Sequence, residues 1–86
     1  MYSLTIRPKV EKRFSLFPKN LQQNVVKRLL QLQATPFQAS LDIKKLTGTQ
    51  RSFRLRVGEI RIIYELDTKA KTILVSDIDF RRTTFY

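Results

Sequence analysis

The sequence predicts an α+β fold: an N-terminal strand, a two-helix hairpin, then a three-stranded antiparallel meander, giving a twisted sheet of about four strands with the helices on one face. Three observations predict it. The stretch SFRLRVGEIRIIYEL, Ser52 to Leu66, sets apolar Phe53, Leu55 and Val57 against Arg54 and Arg56, with Gly58-Glu59 as a turn. Two apolar stripes at helical spacing precede it, split by Pro18. A further alternating run, Thr72 to Ile78, follows it after only a short turn, and connections that short force antiparallel neighbours.

Taken in order, Tyr2, Leu4 and Ile6 alternate with Ser3 and Thr5, the period of a half-buried strand. Pro8 ends it and suits a first helical position, so a helix is predicted from about Pro8 to Leu16, with Val10, Phe14 and Phe17 on one side. Pro18 breaks that helix and opens the next, about Pro18 to Gln33. Leu21, Val25, Leu29 and Leu32 form its core stripe, widened by Val26 and Leu30. Thr35-Pro36 stops it, and the segment to Leu46 has no clean period, so it is predicted as connecting loop. Thr47-Gly48-Thr49 leads into the hairpin. Asp67 to Lys71 turns into the last strand, and a tail begins at Asp79. Neither repeats nor a linker divide the chain, so residues 1–86 are expected to form one domain with one modest core.

Gly at the first central position suits a type II′ turn, which fixes the hairpin register. Val57 then faces Ile60, Arg56 faces Arg61, Leu55 faces Ile62, Arg54 faces Ile63 and Phe53 faces Tyr64. One face is wholly apolar, and Phe53, Leu55, Ile62, Tyr64 and Leu66 are expected to bury against Val10, Phe14, Leu21, Val25 and Leu29. The other face opposes two guanidinium groups, which is destabilising unless something anionic joins them.

Composition narrows the partners and the chemistry. The 86 residues hold 17 Lys plus Arg against 7 Asp plus Glu, a net charge of +10 that favours polyphosphate surfaces and acidic proteins. The charge is clustered: between Lys44 and Arg61 lie Lys44, Lys45, Arg51, Arg54, Arg56 and Arg61, with Glu59 the one acid. Cys and His are both absent, which excludes disulfides, thiolate or imidazole metal sites and imidazole catalysis. No metal and no cofactor is therefore expected. The first residues lack the apolar run of a signal peptide, and no stretch has the length of a membrane span, so a cytoplasmic protein is expected.

Lys45-Leu46-Thr47-Gly48, then Phe53-Arg54-Leu55-Arg56-Val57-Gly58-Glu59-Ile60-Arg61-Ile62-Ile63-Tyr64, then Asp79-Phe80-Arg81-Arg82 and a closing Phe85-Tyr86 resemble the RelE/ParE toxin superfamily. The resemblance spans the chain in element order and length, with the hairpin its most specific part. It implies a toxin of a toxin-antitoxin pair: RelE-like members are ribosome-dependent endoribonucleases that cut mRNA, whereas ParE-like members poison DNA gyrase without that chemistry. It implies an antitoxin partner, expected to be acidic where it meets the hairpin and amphipathic where it meets apolar surface. It also implies an active site of Arg54, Arg56, Arg61, an arginine of the tail matched by Arg81, and the terminal Tyr86. Many relatives carry Lys in the hairpin or His in the tail; this chain has Arg at both hairpin positions and Phe80 where His is common.

Metal-independent RNA cleavage needs the 2′-hydroxyl to attack the neighbouring phosphodiester, and arginine is suited to stabilise the resulting phosphorane because its planar donors grip two phosphate oxygens. Arg54, Arg56, Arg61 and Arg81 are the phosphate-contact candidates. The candidate proton shuttles are Tyr86, its α-carboxylate, Asp79, a ribosomal group or the RNA itself, and Tyr86 is alternatively a stacking platform. Lys44, Lys45, Arg51 and Arg82 are expected to steer RNA. The expected function is an mRNA interferase of the RelE type; the rival classes are a gyrase poison and an RNA-binding module that cuts nothing. The nuclease reading requires the guanidinium groups to converge on one accessible patch of sheet rather than being locked in ion pairs.

Overall fold

The computed structural model describes residues 1–80. Its elements are β1 (Ser3–Ile6), α1 (Pro8–Phe14), α2 (Lys19–Ala34), β2 (Asp42–Lys45), β3 (Ser52–Val57), β4 (Ile60–Asp67) and β5 (Thr72–Phe80). The five strands make one sheet in the order β1-β5-β4-β3-β2.

Prolines set the helix boundaries. Arg7, pushed to extended geometry by the following Pro8, caps α1 (φ −62°, ψ 145°). The helix stops at Phe14 rather than near Leu16, and Leu16 is left 82% exposed. Pro18 caps α2 instead of being its first turn, and its carbonyl accepts from the Leu21 and Gln22 N–H groups, both at 3.0 Å. Thr35, again the residue before a proline, is extended and closes the helix.

The hairpin register is the one its turn demands. Val57 pairs with Ile60, Arg56 with Arg61, Leu55 with Ile62, Arg54 with Ile63 and Phe53 with Tyr64. Within the turn only Gly58 has positive φ (61°), as a type II′ loop requires of its first central residue. Phe53 and Tyr64 stack with ring centroids 5.7 Å apart. Asp67 shapes the next turn by accepting from the Lys69 and Ala70 N–H groups, both at 3.0 Å.

Two expectations are corrected, on the segment after Pro36 and on the start of the tail, and one pairing lay outside them. The segment after Pro36 is not all loop: Leu41 and Ile43 turn inward while Asp42 and Lys44 turn out, and β2 adds a fifth strand along β3. Its alternation covers only four residues, too few to stand out from noise. β1 runs parallel to β5, from Ser3 opposite Thr72 to Ile6 opposite Val75, so the sheet is mixed. Asp79 and Phe80, expected in the tail, extend β5.

Both helices bury against the Ile62 face. Val10 from α1 and Val25, Leu29 and Leu32 from α2 join Leu55, Ile62, Tyr64, Ile73, Val75 and Ile78 in one core, while Phe14, Leu21 and Phe53 are only partly buried. Val26 and Leu30, placed on the stripe's flank, are exposed at 45% and 58%. Between β4 and β5 a bulge at Ile63/Tyr64 leaves Ser76 without a partner residue, and its hydroxyl donates to the Ile63 carbonyl at 3.3 Å. No helix among the described residues is long and apolar enough to cross a membrane.

Candidate nucleic-acid interface

Residues directly opposite one another on neighbouring strands share a face, so the pairings define rows across the uncovered side of the sheet. One row reads Asp42, Arg56, Arg61, Asp79 from β2 to β5. The next reads Lys44, Arg54, Ile63, Asp77. Adjacent members of a row sit about 5 Å apart at the backbone, and the rows about 7 Å apart, so all four arginine and lysine side chains lie within one short reach.

The partner missing from the hairpin alone is thus supplied in part by the chain itself. The Arg56–Arg61 repulsion is flanked by a carboxylate at each end of the row. Asp42 reaches diagonally to Arg54, whose Nη2 donates to Asp42 Oδ1 at 2.9 Å. Arg54 is only 19% exposed, and its Nε, buried, has no hydrogen-bond partner among the described residues. Of the guanidinium groups expected to converge on an accessible patch, Arg54 is instead held in an ion pair. Arg54 is a held group, whereas Arg56 and Arg61 are exposed. Arg56 makes one long bond, Nε to the Gly58 carbonyl at 3.4 Å, and Arg61 has no hydrogen bond or ion pair among the described residues. Asp77, in the second row, is turned to α1, where Arg13 donates to it at 2.9 Å and to the Ile78 carbonyl at 2.8 Å.

The other candidates divide. Lys44 stands beside Arg54 in the second row. Lys45 is opposite Phe53 and therefore on the helix side of the sheet, at its exposed edge. Arg51 lies at the opposite end of the hairpin from the Gly58 turn and is bound to Asp67 at 3.6 Å. The Asp67 carboxyl is held below the usual carboxylate range, first by the Ala70 N–H, then by the Arg51 charge and by the Lys69 N–H and ammonium. Arg81, Arg82 and Tyr86 lie outside the described residues.

Reading the hairpin by itself missed Asp42, and it did not place Asp79, a candidate proton shuttle, in the arginine row. Their signals were present as short alternations, Leu41-Asp42-Ile43-Lys44 and Ile78-Asp79-Phe80, in which the acid takes the outward position. Chemically, the face offers two accessible forks of N–H donors about 5 Å apart at the backbone, with a third fork fixed beside them. Such a set suits a phosphodiester, whose oxygens accept several donors at once. Arginine is permanently protonated, so these groups bind and stabilise charge rather than move protons.

No protein-family model matches the chain, and no curated protein sequence matches it. Solved structures do. The RelE-RelB complex of the archaeon Pyrococcus horikoshii OT3 is 27% identical, with 95% of this chain and 97% of that one covered and a TM-score of 0.83. The RelB-RelE antitoxin-toxin complex of Methanococcus jannaschii is 22% identical over 94% of each chain, with a TM-score of 0.76. The isolated Escherichia coli RelE toxin is 15% identical over 93% of this chain and 84% of that one, with a TM-score of 0.78. The last two, at such low identity, are likenesses of fold; the first adds sequence to the same fold over nearly the full length of both chains. Together with the element order and the hairpin, these likenesses show the fold of RelE toxins and support the resemblance to the RelE-like toxin superfamily.

Proposed function

We propose that this protein is the toxin of a toxin-antitoxin pair and that it cuts mRNA on translating ribosomes without a metal. The observation that carries this reading is the exposed, directly opposed pair Arg56 and Arg61 on an uncovered sheet face. Like charges in that position destabilise the hairpin, and a phosphodiester relieves them. The likeness to RelE toxins supports the same assignment.

In the proposed reaction the 2′-oxygen attacks the adjacent phosphorus and the 5′-oxygen leaves, taking up a proton as the 2′-hydroxyl gives one up. Arg56 and Arg61 grip the non-bridging oxygens as charge builds on them, and Arg54, oriented by Asp42, supplies the neighbouring donor. Preorganised charge of this kind is often the largest single catalytic term. Arg81 is assigned to phosphate contact and Tyr86 to proton transfer or base stacking. Lys44 extends the RNA track, with Lys45, Arg51 and Arg82 as outlying steering charges. The antitoxin is a separate, acidic and amphipathic chain, for which exposed Val26 and Leu30 offer apolar surface. The pair acts in the cytoplasm, where its ribosomal target lies.

The test is growth inhibition on induction, with circular dichroism to verify folding. Arg61→Ala, and Arg54→Ala combined with Arg56→Ala, are expected to abolish toxicity in folded proteins, since losing one preorganised donor costs about 100- to 1000-fold in rate. A folded, fully toxic Arg61→Ala protein overturns the site. A second reading, RNA binding without cleavage, is favoured by one observation: Asp42, one of the two carboxylates flanking the arginine pair, is engaged by Arg54 rather than poised as a base. Mapping mRNA 5′ ends after brief expression separates the two, because only the nuclease creates new ends.

A further inference from the structure

β2 begins at Asp42, opposite Arg56, so Val57 and Gly58 continue the hairpin with no β2 residue beside them. The gap at this sheet edge is a polar pocket of about 290 Å³, walled on the helix side by Asn24, Lys27 and Arg28 of α2 and on the sheet side by Ser40, Asp42 and Arg56. The pocket therefore joins the helix side of the molecule to the row that holds Arg56 and Arg61.

Its charge is one-sided. Among the described residues three cations, Lys27, Arg28 and Arg56, line it, and its one carboxylate, Asp42, is already bonded to Arg54. α2 contains no Asp or Glu, so neither Lys27 nor Arg28 has an acidic neighbour one turn away to neutralise it. Among the described residues Arg28 bonds only a neutral group, Gln31 Oε1 at 3.0 Å. Lys27 is exposed and Arg28 half-buried, so the pocket is accessible from solvent. Its volume is several times the roughly 30 Å³ that one water occupies, enough for a phosphate group with water about it.

We propose that this pocket is a second phosphate site, which carries an RNA strand from the open face round the sheet edge onto α2, with Arg56 shared between the two sites. The inference rests on the nuclease reading for the direction of the strand but not for its own measurement. Counterion release gives the readout: on a single strand each phosphate contact contributes about −0.7 to the slope of log affinity against log salt.

The probe is a 2′-O-methyl single-stranded RNA, which binds but lacks the hydroxyl needed for cutting. Lys27→Gln with Arg28→Gln should weaken binding and make the slope shallower by up to about 0.7, the contribution of the one phosphate the pocket holds. Lys27→Gln alone, at an exposed position, should give about half that change and serves if the pair disturbs folding. Lys9→Gln with Lys12→Gln, exposed on α1, removes the same charge; α1 packs on β5, three strands from β2, and its slope should stay unchanged. Equal changes from the two pairs, or no change from the α2 pair, overturn the second site. If the α2 pair leaves the slope intact while Arg61→Ala still abolishes new mRNA ends, the pocket falls and the nuclease reading stands. If the unaltered protein binds no free RNA, the second site falls, while the nuclease reading still turns on new mRNA ends made on ribosomes.

Discussion

The two faces of the β3–β4 hairpin follow opposite rules with alternate residues of the same strands. On the covered face Leu55, Ile60, Ile62 and Tyr64 are fully buried against helix and sheet neighbours. On the open face Arg56 and Arg61 face each other in solvent, with a carboxylate at each end of their row. Burial of apolar area supplies the folding free energy, on the order of 25 cal/mol for each Å² removed from water. Exposed charge pairs contribute little of either sign. The covered face thus sustains a repulsive arrangement on the other, which leaves those arginines available to a ligand.

Neighbouring residues of β4 give the sharpest test of that division. Ile62→Ala should cost about 2–5 kcal/mol in chemical denaturation, because a fully buried side chain leaves a cavity behind. Arg61→Ala, one residue earlier, should shift stability by no more than about 1 kcal/mol while removing toxicity. Comparable losses of stability from both would break the comparison.

A smaller effect is expected at Tyr64, the one polar side chain fully buried among the core residues. Its hydroxyl has no hydrogen-bond partner among the described residues, and burial pushes the phenol up to about 12. Tyr64→Phe should therefore raise stability by about 1 kcal/mol, since a buried donor without a partner is removed. The pH dependence has a definite sign. The unfolded phenol ionises near 10, so the stability of the native protein is fully present below that and falls as pH rises towards about 12. In melts between these pH values Tyr64→Phe should lack this component of the decline.

The smallest effect belongs to Asp67 on the open face, where backbone N–H groups and Arg51 depress the carboxyl. Its contribution is present above the unfolded value of about 3.9 and is lost as pH falls through the lower folded value. Asp67→Asn should remove that component of acid destabilisation, visible as a narrowing of the difference between variant and parent as the pH is lowered. A variant offset that does not vary with pH would assign the role of Asp67 to its turn geometry alone.

The hairpin was legible because its information is local. Gly58 selects the turn, the turn fixes the register, and the register alone opposes Arg56 to Arg61. The helix ends were nearly as plain, since Pro8, Pro18 and Pro36 restrict their own backbone and that of the residue before. β2 was not legible: four residues of alternation carry too little signal, and what makes them a strand is the exposed edge of β3, which exists only after the hairpin has formed. The parallel pairing of β1 with β5 is likewise a contact between distant parts of the chain.

The sequence by itself determined which residues are apolar, where prolines cut the helices, and that two arginines meet across a tight turn, because each of these is settled within a few neighbouring residues. Only the tertiary structure decided that Asp42 and Asp79 close the ends of that row, that Arg54 is held while Arg56 and Arg61 are accessible, and that Lys27 and Arg28 stand near Arg56. Those relations depend on strand order and on where a helix crosses a sheet edge, and the free energy that fixes both is the burial of a core drawn from the length of the chain.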